Sequence, residues 1–270
     1  MKYLLSTCCI FFIIGCSTNK NFSLKIKDTH ADRQTGAEFF KTVVSCNWQQ
    51  RDSLAVIQIL QGNIPQYIKK FVPVNSTITD SNGITHNAVF YVCPDYLSIG
   101  TDEDFARIPL SPMAAQKIAD SFYCFLPTRK MVDLIYQQAV VKLEPVPMYA
   151  FRDSSITMWQ HNLIIEGQRN GRKGLIAGIK KDLVISGKVL TEKPHHEAIY
   201  GWHRLNGIAI QPLYTGHISW WVDYSHGIRL IYRKIKIDGK EMDYTAVLAS
   251  PVYQKLLCDE DNCSFYKYNY

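Results

Sequence analysis

The sequence predicts an α+β protein with a helical and hairpin N-terminal lobe and a β-rich C-terminal lobe. Three observations support this fold class. Apolar residues recur every three or four positions over residues 37–60 and 112–139, as in amphipathic helices. The turn pairs Asn82-Gly83 and Asp238-Gly239 each lie between runs of strand length, which is typical of β-hairpins. From residue 175 onward, short apolar or alternating runs dominate and favour strands.

The composition is that of a chain with a packed core. It has 270 residues, of which 47% are hydrophobic and 20% are charged, and this excludes a disordered or low-complexity protein. The 30 lysines and arginines exceed the 24 aspartates and glutamates by six, without a long run of like charge. We therefore expect no nucleic-acid partner.

The first element of the chain is predicted to be a signal peptide at residues 1–15. Lys2 precedes an apolar stretch too short to span a bilayer, and the chain turns polar after Gly15-Cys16. This arrangement resembles the lipobox of bacterial lipoproteins. The resemblance implies lipidation at Cys16 and a mature chain that is anchored to a membrane through its N-terminal lipid. We expect it in the bacterial cell envelope, at the outer membrane facing the periplasm.

Residues 16–36 are polar and are predicted to form a flexible tether. The rest divides into lobes at 37–147 and 148–270, because prolines interrupt the helical pattern just before residue 148. The first lobe holds two helices before Gly62, then the hairpin, then helices that begin at Ser111 and Thr128. The second lobe begins with a short helix predicted over 159–168 and ends in a helix predicted over 244–257. Between them several strands are predicted, among them 218–222 and 228–232.

Removal of the signal peptide leaves five cysteines besides Cys16. An odd number leaves at least one thiol unpaired. Cys258 and Cys263 are close enough in sequence to close a small disulfide loop in an oxidising compartment. The other three are expected to be free and mostly buried; they are Cys46, Cys93 and Cys124.

The candidate functional site is a concentration of histidine and aromatic residues between 195 and 226. Five of the eight histidines lie there. Histidine is the usual side chain for proton transfer and for transition-metal binding, and aromatic rings stack on sugars. The residues expected to contact a substrate are Trp202, Trp220, Trp221, Tyr224 and Arg229. The basic segments 169–173 and 180–182 are expected to support binding of an acidic glycan or a carboxylate-bearing peptide.

One interpretation of these histidines is a metal site. The candidate ligands for a transition metal such as zinc are His203, His217, Asp223 and His226. On an extended strand, the six-residue spacing places His217 and Asp223 on one face. That spacing is one residue shorter than the His-x(6)-Asp motif of the D-Ala-D-Ala metallopeptidases of bacterial walls, which this segment loosely resembles.

A second interpretation rests on a resemblance over residues 198–230. Ala198-Ile199-Tyr200-Gly201-Trp202-His203 and Ser225-His226-Gly227-Ile228-Arg229-Leu230 are similar in layout to the upstream strand and the Ser-His-Gly-Cys-Ile-Arg motif of L,D-transpeptidases. The nucleophilic cysteine expected between Gly227 and Ile228 is missing, so no acyl-enzyme can form. The resemblance then implies a binding or general-base role for His226 and anion binding by Arg229.

In a third interpretation, His203 or His226 is a catalytic general base that Asp223 orients. Water is the better nucleophile, because Asp223-Tyr224-Ser225-His226 is too short for a serine triad to close. The fourth interpretation is structural and makes the same segment a hydrogen-bonded turn.

We expect a cell-envelope lipoprotein that hydrolyses peptidoglycan or another envelope glycan through a His/Asp site. The alternative is a noncatalytic lipoprotein that binds a saccharide or a peptide.

Overall fold

The structure is a computed structural model that describes residues 23–26, 33–191, 193 and 195–270, and it confirms the α+β class. The predicted signal peptide and Cys16 lie outside the described residues. The helices are α1 Gly36–Thr42, α2 Trp48–Leu60, α3 Pro112–Ser121, α4 Arg129–Gln138, α5 Ser155–Arg169, α6 Gly187–Thr191, α7 Tyr244–Ala249 and α8 Gln254–Leu257. The strands are β1 Val72–Thr79, β2 Thr85–Val92, β3 Ser98–Gly100, β4 Phe105–Arg107, β5 Cys124–Phe125, β6 Val141–Lys142, β7 Ile176–Ala177, β8 Lys181–Val184, β9 Ala198–His203, β10 Ala209–Tyr214, β11 His226–Gly227, β12 Ile231–Tyr232, β13 Lys234–Ile237 and β14 Lys240–Asp243.

Short polar side chains begin the helices of the N-terminal half. Ser111 accepts a hydrogen bond from the backbone N–H of Ala114, with Pro112 at the first position of α3. Thr128 caps α4 in the same way. These side chains satisfy N–H groups that have no partner within the helix, and both predicted helix starts are confirmed.

Two predicted elements of the C-terminal half differ from the structure. The helix predicted over 244–257 is two helices, because Ser250 precedes Pro251 and is held in an extended conformation, with φ −80° and ψ 125°. The strand predicted over 218–222 is a turn in which the N–H of Trp221 donates to the carbonyl of Ile218. His217 and Asp223 therefore do not share one face of a strand.

Strands from both sides of residue 147 share the larger sheet. Its order is β14-β13-β2-β12-β5, and β1 pairs with β2 through the Asn82-Gly83 hairpin. A second sheet has the order β10-β9-β8-β11, in which β11 runs parallel to β8 and the other pairs are antiparallel. The remaining pairs are β3 with β4 and β6 with β7. The second sheet carries the candidate site.

One large hydrophobic cluster extends from Leu24 to Tyr268 and includes side chains from both predicted lobes. Leu24 belongs to the segment predicted as a tether, yet it is buried and its N–H donates to the carbonyl of Lys69. Cys258 and Cys263 form the predicted disulfide, and Cys46, Cys93 and Cys124 are free. Within the described ranges, no helix has both the length and the apolar character that a membrane crossing requires.

Candidate functional site

Four polar side chains from three segments meet at the second sheet: Glu197, His217, Asp223 and His226. Nε2 of His226 lies 2.6 Å from Oε1 of Glu197, and its Nδ1 lies 3.1 Å from Oδ1 of Asp223. Nδ1 of His217 lies 3.3 Å from the same Glu197 oxygen. We call these four residues the His/Glu cluster.

Backbone contacts between segments 195–197 and 217–219 hold one side of the cluster together. The N–H of Glu197 donates to the carbonyl of His217 at 3.0 Å, and the N–H of Ser219 donates to the carbonyl of His195 at 2.9 Å. Glu197 directly precedes β9, and His226 begins β11, with β8 between those two strands. The sheet and this short ladder thus fix Glu197 between the two histidines.

Asp223 is a buried hydrogen-bond acceptor for several neighbours. Its Oδ1 accepts from the N–H and the hydroxyl of Ser225 at 2.8 and 2.5 Å, and its Oδ2 accepts from Nη2 of Arg152 at 2.5 Å. Burial alone would raise the pKa of this carboxyl, but the bonds from His226 and Ser225 and the charge of Arg152 hold the pKa well below its usual range. Asp223 is therefore ionised. The hydrogen-bonded turn that the fourth interpretation of the sequence expects at residues 223–226 is present.

His226 lies between two carboxylates and has no exposed side-chain surface. Burial lowers its pKa, but the charges and hydrogen bonds of Glu197 and Asp223 outweigh that effect and raise the pKa of His226 to about 10. The protonated ring is thus favoured at neutral pH. A protonated and buried imidazole is a poor general base, so the structure does not support the catalytic role expected for His226 from the sequence.

His217 is the member of the cluster that reaches the surface. Its side chain is 23% exposed, whereas that of Glu197 is completely buried. The His217 ring lies 6.1 Å from the ring of Trp221, which is itself 37% exposed. Trp221 lines a groove of about 480 Å³ together with Trp48 and Trp220. The aromatic groove, defined by these three tryptophans, is lined by no residue of the His/Glu cluster and is connected to the cluster through the Trp221 ring.

His203 contacts none of the other three predicted metal ligands in the described hydrogen bonds, and its neighbours are different residues. Its Nε2 lies 2.9 Å from Oδ1 of Asp133, and its ring stacks on Tyr136 at 4.5 Å. Tyr200 also donates to Asp133. The structure therefore brings together three of the four predicted ligands, with Glu197 in place of His203.

Three of the residues expected to contact a substrate are buried. Nε1 of Trp202 donates to the carbonyl of Ile179, and the hydroxyl of Tyr224 accepts from the N–H of Met148. Arg229 is fully buried and donates to the carbonyls of Cys93 and Ile176, with its guanidinium 4.0 Å from the centre of the Tyr96 ring. Contrary to expectation, these side chains stabilise the fold. Trp220 and Trp221 remain available to a ligand, at 47% and 37% exposure.

The two basic segments also separate. Residues 170–173 are exposed, but Lys180, Lys181 and Asp182 are buried, so they do not form a surface patch. Nζ of Lys180 donates to the carbonyl of Tyr224 at 2.5 Å. Burial, with the positive charge of Arg107, lowers the pKa of Lys180 from 10.5 to about 7.

The lowered pKa of Lys180 predicts a pH-dependent stability. Between pH 7 and 10.5 the folded lysine is neutral while the unfolded chain keeps its proton, so unfolding takes up a proton and stability rises with pH. We expect the free energy of unfolding of the wild type, measured in urea, to increase relative to that of Lys180→Met as the pH rises through this range. A difference between the two proteins that stays constant with pH would contradict the prediction.

Glu197 is the member of the cluster that sequence reasoning did not single out. It follows His195-His196 and immediately precedes the predicted strand containing Tyr200, and a carboxylate in that position was the available signal. Its contact partners lie 20 and 29 residues further along the chain. Only the folded chain shows that it joins them.

Comparisons of the chain with protein-family models, with curated proteins and with solved structures find no match. The basis for assigning a function is therefore the geometry of the His/Glu cluster and of the aromatic groove beside it.

Proposed function

We propose that the protein is a cell-envelope lipoprotein that hydrolyses peptidoglycan or another envelope glycan at the His/Glu cluster. The observation that carries this proposal is the position of His217, which contacts the buried carboxylate of Glu197 and lies 6.1 Å, ring to ring, from Trp221 of the aromatic groove. A hydrolase needs proton acceptors that water can reach and a surface that holds a polymer next to them. These two features lie side by side here.

The aromatic groove supplies the binding surface. Trp220 and Trp221 expose large parts of their rings, and Trp48 contributes a third ring. Flat aromatic faces bind sugar rings through apolar contact while leaving the sugar hydroxyls in water. Asp153 also lines the groove and is exposed, so its carboxylate can accept hydrogen bonds from polar groups of a glycan or its peptide.

The cluster supplies the chemistry. A water molecule at the exposed edge of His217 would lose a proton to the His217–Glu197 pair as its oxygen bonds to the electrophilic carbon of the substrate. The bond from that carbon to the leaving group breaks, and the leaving group takes the proton. His226 and Asp223 stabilise the arrangement, because Asp223 holds His226 and His226 holds Glu197. They are positioning residues in this reaction.

His217→Ala should abolish product release from purified peptidoglycan sacculi or from one of a panel of envelope glycans. The variant removes the exposed proton acceptor and leaves buried Glu197 and Asp223 in place, so we expect a normal thermal unfolding curve. Loss of a general base typically slows a reaction by about 100-fold to 10,000-fold. Soluble products, measured by liquid chromatography and mass spectrometry, provide the readout. His195→Asn is the matched control, because His195 is exposed and its side chain takes no part in the described hydrogen bonds of the cluster.

Binding of the same polymers tests the noncatalytic alternative. Trp220→Ala should weaken co-sedimentation with the polymer that is cleaved, because one aromatic contact contributes about 0.5–1.5 kcal/mol. If the wild type binds a polymer through Trp220 but releases no product that His217→Ala fails to release, the protein is a binding module and the hydrolase proposal is wrong.

A further inference from the structure

The His/Glu cluster has the donor atoms of a transition-metal site. Glu197, His217 and His226 each offer one ligand atom, and these three atoms lie within 4.8 Å of one another. Ligands around a tetrahedral zinc ion are roughly 3.3 Å apart, given zinc–nitrogen and zinc–oxygen bonds of about 2.0–2.1 Å. The contacts from Glu197 to His217 and to His226 are 3.3 and 2.6 Å. For an ion to bind, the contact between His226 and Glu197 must lengthen by about 0.7 Å, and His226 must release the proton on Nε2.

Asp223 has the position of the outer partner that metal-binding histidines usually have. A histidine that binds a metal through one ring nitrogen normally donates the other N–H to a carboxylate or carbonyl. Nδ1 of His226 faces Oδ1 of Asp223 at 3.1 Å, and the bonds from Ser225 and Arg152 fix that carboxylate. Nε2 of His226 is then directed at the position between Glu197 and His217.

Glu197 has a second, independent feature of a ligand. Its Oε2 is buried and has no hydrogen-bond partner among the residues that the structure describes. A buried carboxylate oxygen without a partner is costly, and a cation is the partner that satisfies it best. Besides the two histidines of the cluster, the described basic groups near Glu197 and Asp223 include Lys181 and Arg152. Nζ of Lys181 lies over the Trp202 ring at 4.9 Å, and Arg152 contacts Asp223, and neither donates a hydrogen bond to this oxygen.

We propose that Glu197, His217 and His226 bind one zinc ion, with Asp223 as the outer partner of His226. Two imidazoles and one carboxylate favour zinc over magnesium or calcium, which prefer oxygen ligands. The partial exposure of His217 leaves the fourth position open to water, as in catalytic rather than structural zinc sites. This ligand set replaces the one expected from the sequence, which included His203 and used Asp223 as a direct ligand.

The role of the ion depends on the proposed function, although its binding does not. With the ion bound, Glu197, His217 and His226 would hold it, and the ion rather than the His217–Glu197 pair would activate the water, because zinc lowers the pKa of a bound water to about 7 and polarises a carbonyl oxygen. With this ion the bond that the protein cleaves would be an amide or ester of the envelope polymer, since a glycosidic bond is usually cleaved by two carboxylates. The water supplies the hydroxyl that the acyl carbon gains, and the amine or alcohol leaves with the proton.

Titration of the metal-free wild-type protein with zinc in a calorimeter tests the site without a substrate. We expect one ion per chain. His217→Ala and Glu197→Gln should lose this stoichiometric binding, and Asp223→Asn should bind about 10-fold to 100-fold more weakly, as loss of an outer partner does. His203→Gln is the matched control and should bind as the wild type does. Circular dichroism and thermal unfolding verify that each variant is folded. His217 is the most exposed of the three ligands, so its substitution should disturb the fold least.

Two outcomes would overturn the zinc site. One is a wild-type protein that binds no stoichiometric zinc, and the other is zinc binding that His217→Ala and Glu197→Gln retain or that His203→Gln loses. The outcomes for the proposed hydrolase are separate. Product release that persists after chelation, in a protein that binds no zinc, rejects the metal and keeps the hydrolase. Stoichiometric zinc binding without any product release keeps the zinc site and rejects the hydrolase.

Discussion

Arg107→Met should lower the free energy of unfolding by about 3–5 kcal/mol, because it leaves a buried carboxylate without its counter-ion. Nε and Nη2 of Arg107 donate to the two oxygens of Asp95 at 3.0 and 2.5 Å, and both side chains are almost completely buried. Nη1 also donates to Glu166 and Asn162 of α5. Equilibrium unfolding in urea, followed by circular dichroism, measures the change.

An exposed pair provides the control for Arg107. Arg129 contacts Asp259 at 2.8 Å with both side chains about one-third exposed. Arg129→Met should cost at most about 1 kcal/mol, as is usual for ion pairs at the surface. If Arg107→Met is no more destabilising than Arg129→Met, loss of the counter-ion of buried Asp95 does not carry the expected energetic cost.

Gly227→Ala should destabilise the protein by about 1–3 kcal/mol and should also impair the His/Glu cluster. A Cβ at this position would lie 2.6 Å from the ring of Tyr96 and 2.7 Å from Cβ of Lys180. Both neighbours are buried, so β11 would have to move away from them, and His226 is the adjacent residue of that strand. Thermal unfolding measures the stability, and zinc titration together with product release measures the effect on the cluster.

Gly167→Ala is the matched control for this substitution. Gly167 lies in α5, and no atom lies within 4 Å of a Cβ added there. Alanine in a helix interior is more favourable than glycine by roughly 0.5–1 kcal/mol, so this variant should be slightly more stable than the wild type. Equal losses at positions 167 and 227 would show that the close packing at Gly227 is unimportant.

Local sequence signals predicted many of the elements. The helix starts at Ser111 and Thr128, the hairpin at Asn82-Gly83 and the disulfide between Cys258 and Cys263 all involve residues that are close in sequence. The hydrogen bonds and turn conformations that define them are local. The α+β class follows from the same signals, because each element shows its own periodicity.

The candidate site was predictable only in part. The sequence was enough to place it among the histidines of residues 195–226, and to include His217, Asp223 and His226. The role of each residue depends on contacts between distant segments. Glu197 meets its partners across 20 and 29 residues, whereas the turn at 218–221 replaces the strand on which the predicted pairing of His217 with Asp223 depended. Sequence spacing predicts which residues share a face only where the element between them is regular.

Burial was the other property that the tertiary structure decided. Trp202, Tyr224 and Arg229 have the residue types of a binding surface, but all three lie in the core and bond to backbone groups or pack on rings there. Composition and local pattern determined the fold class, the helix starts and the region of the site. Packing between distant segments decided which of its side chains water can reach, because solvent exposure is a property of the assembled chain and not of any single segment.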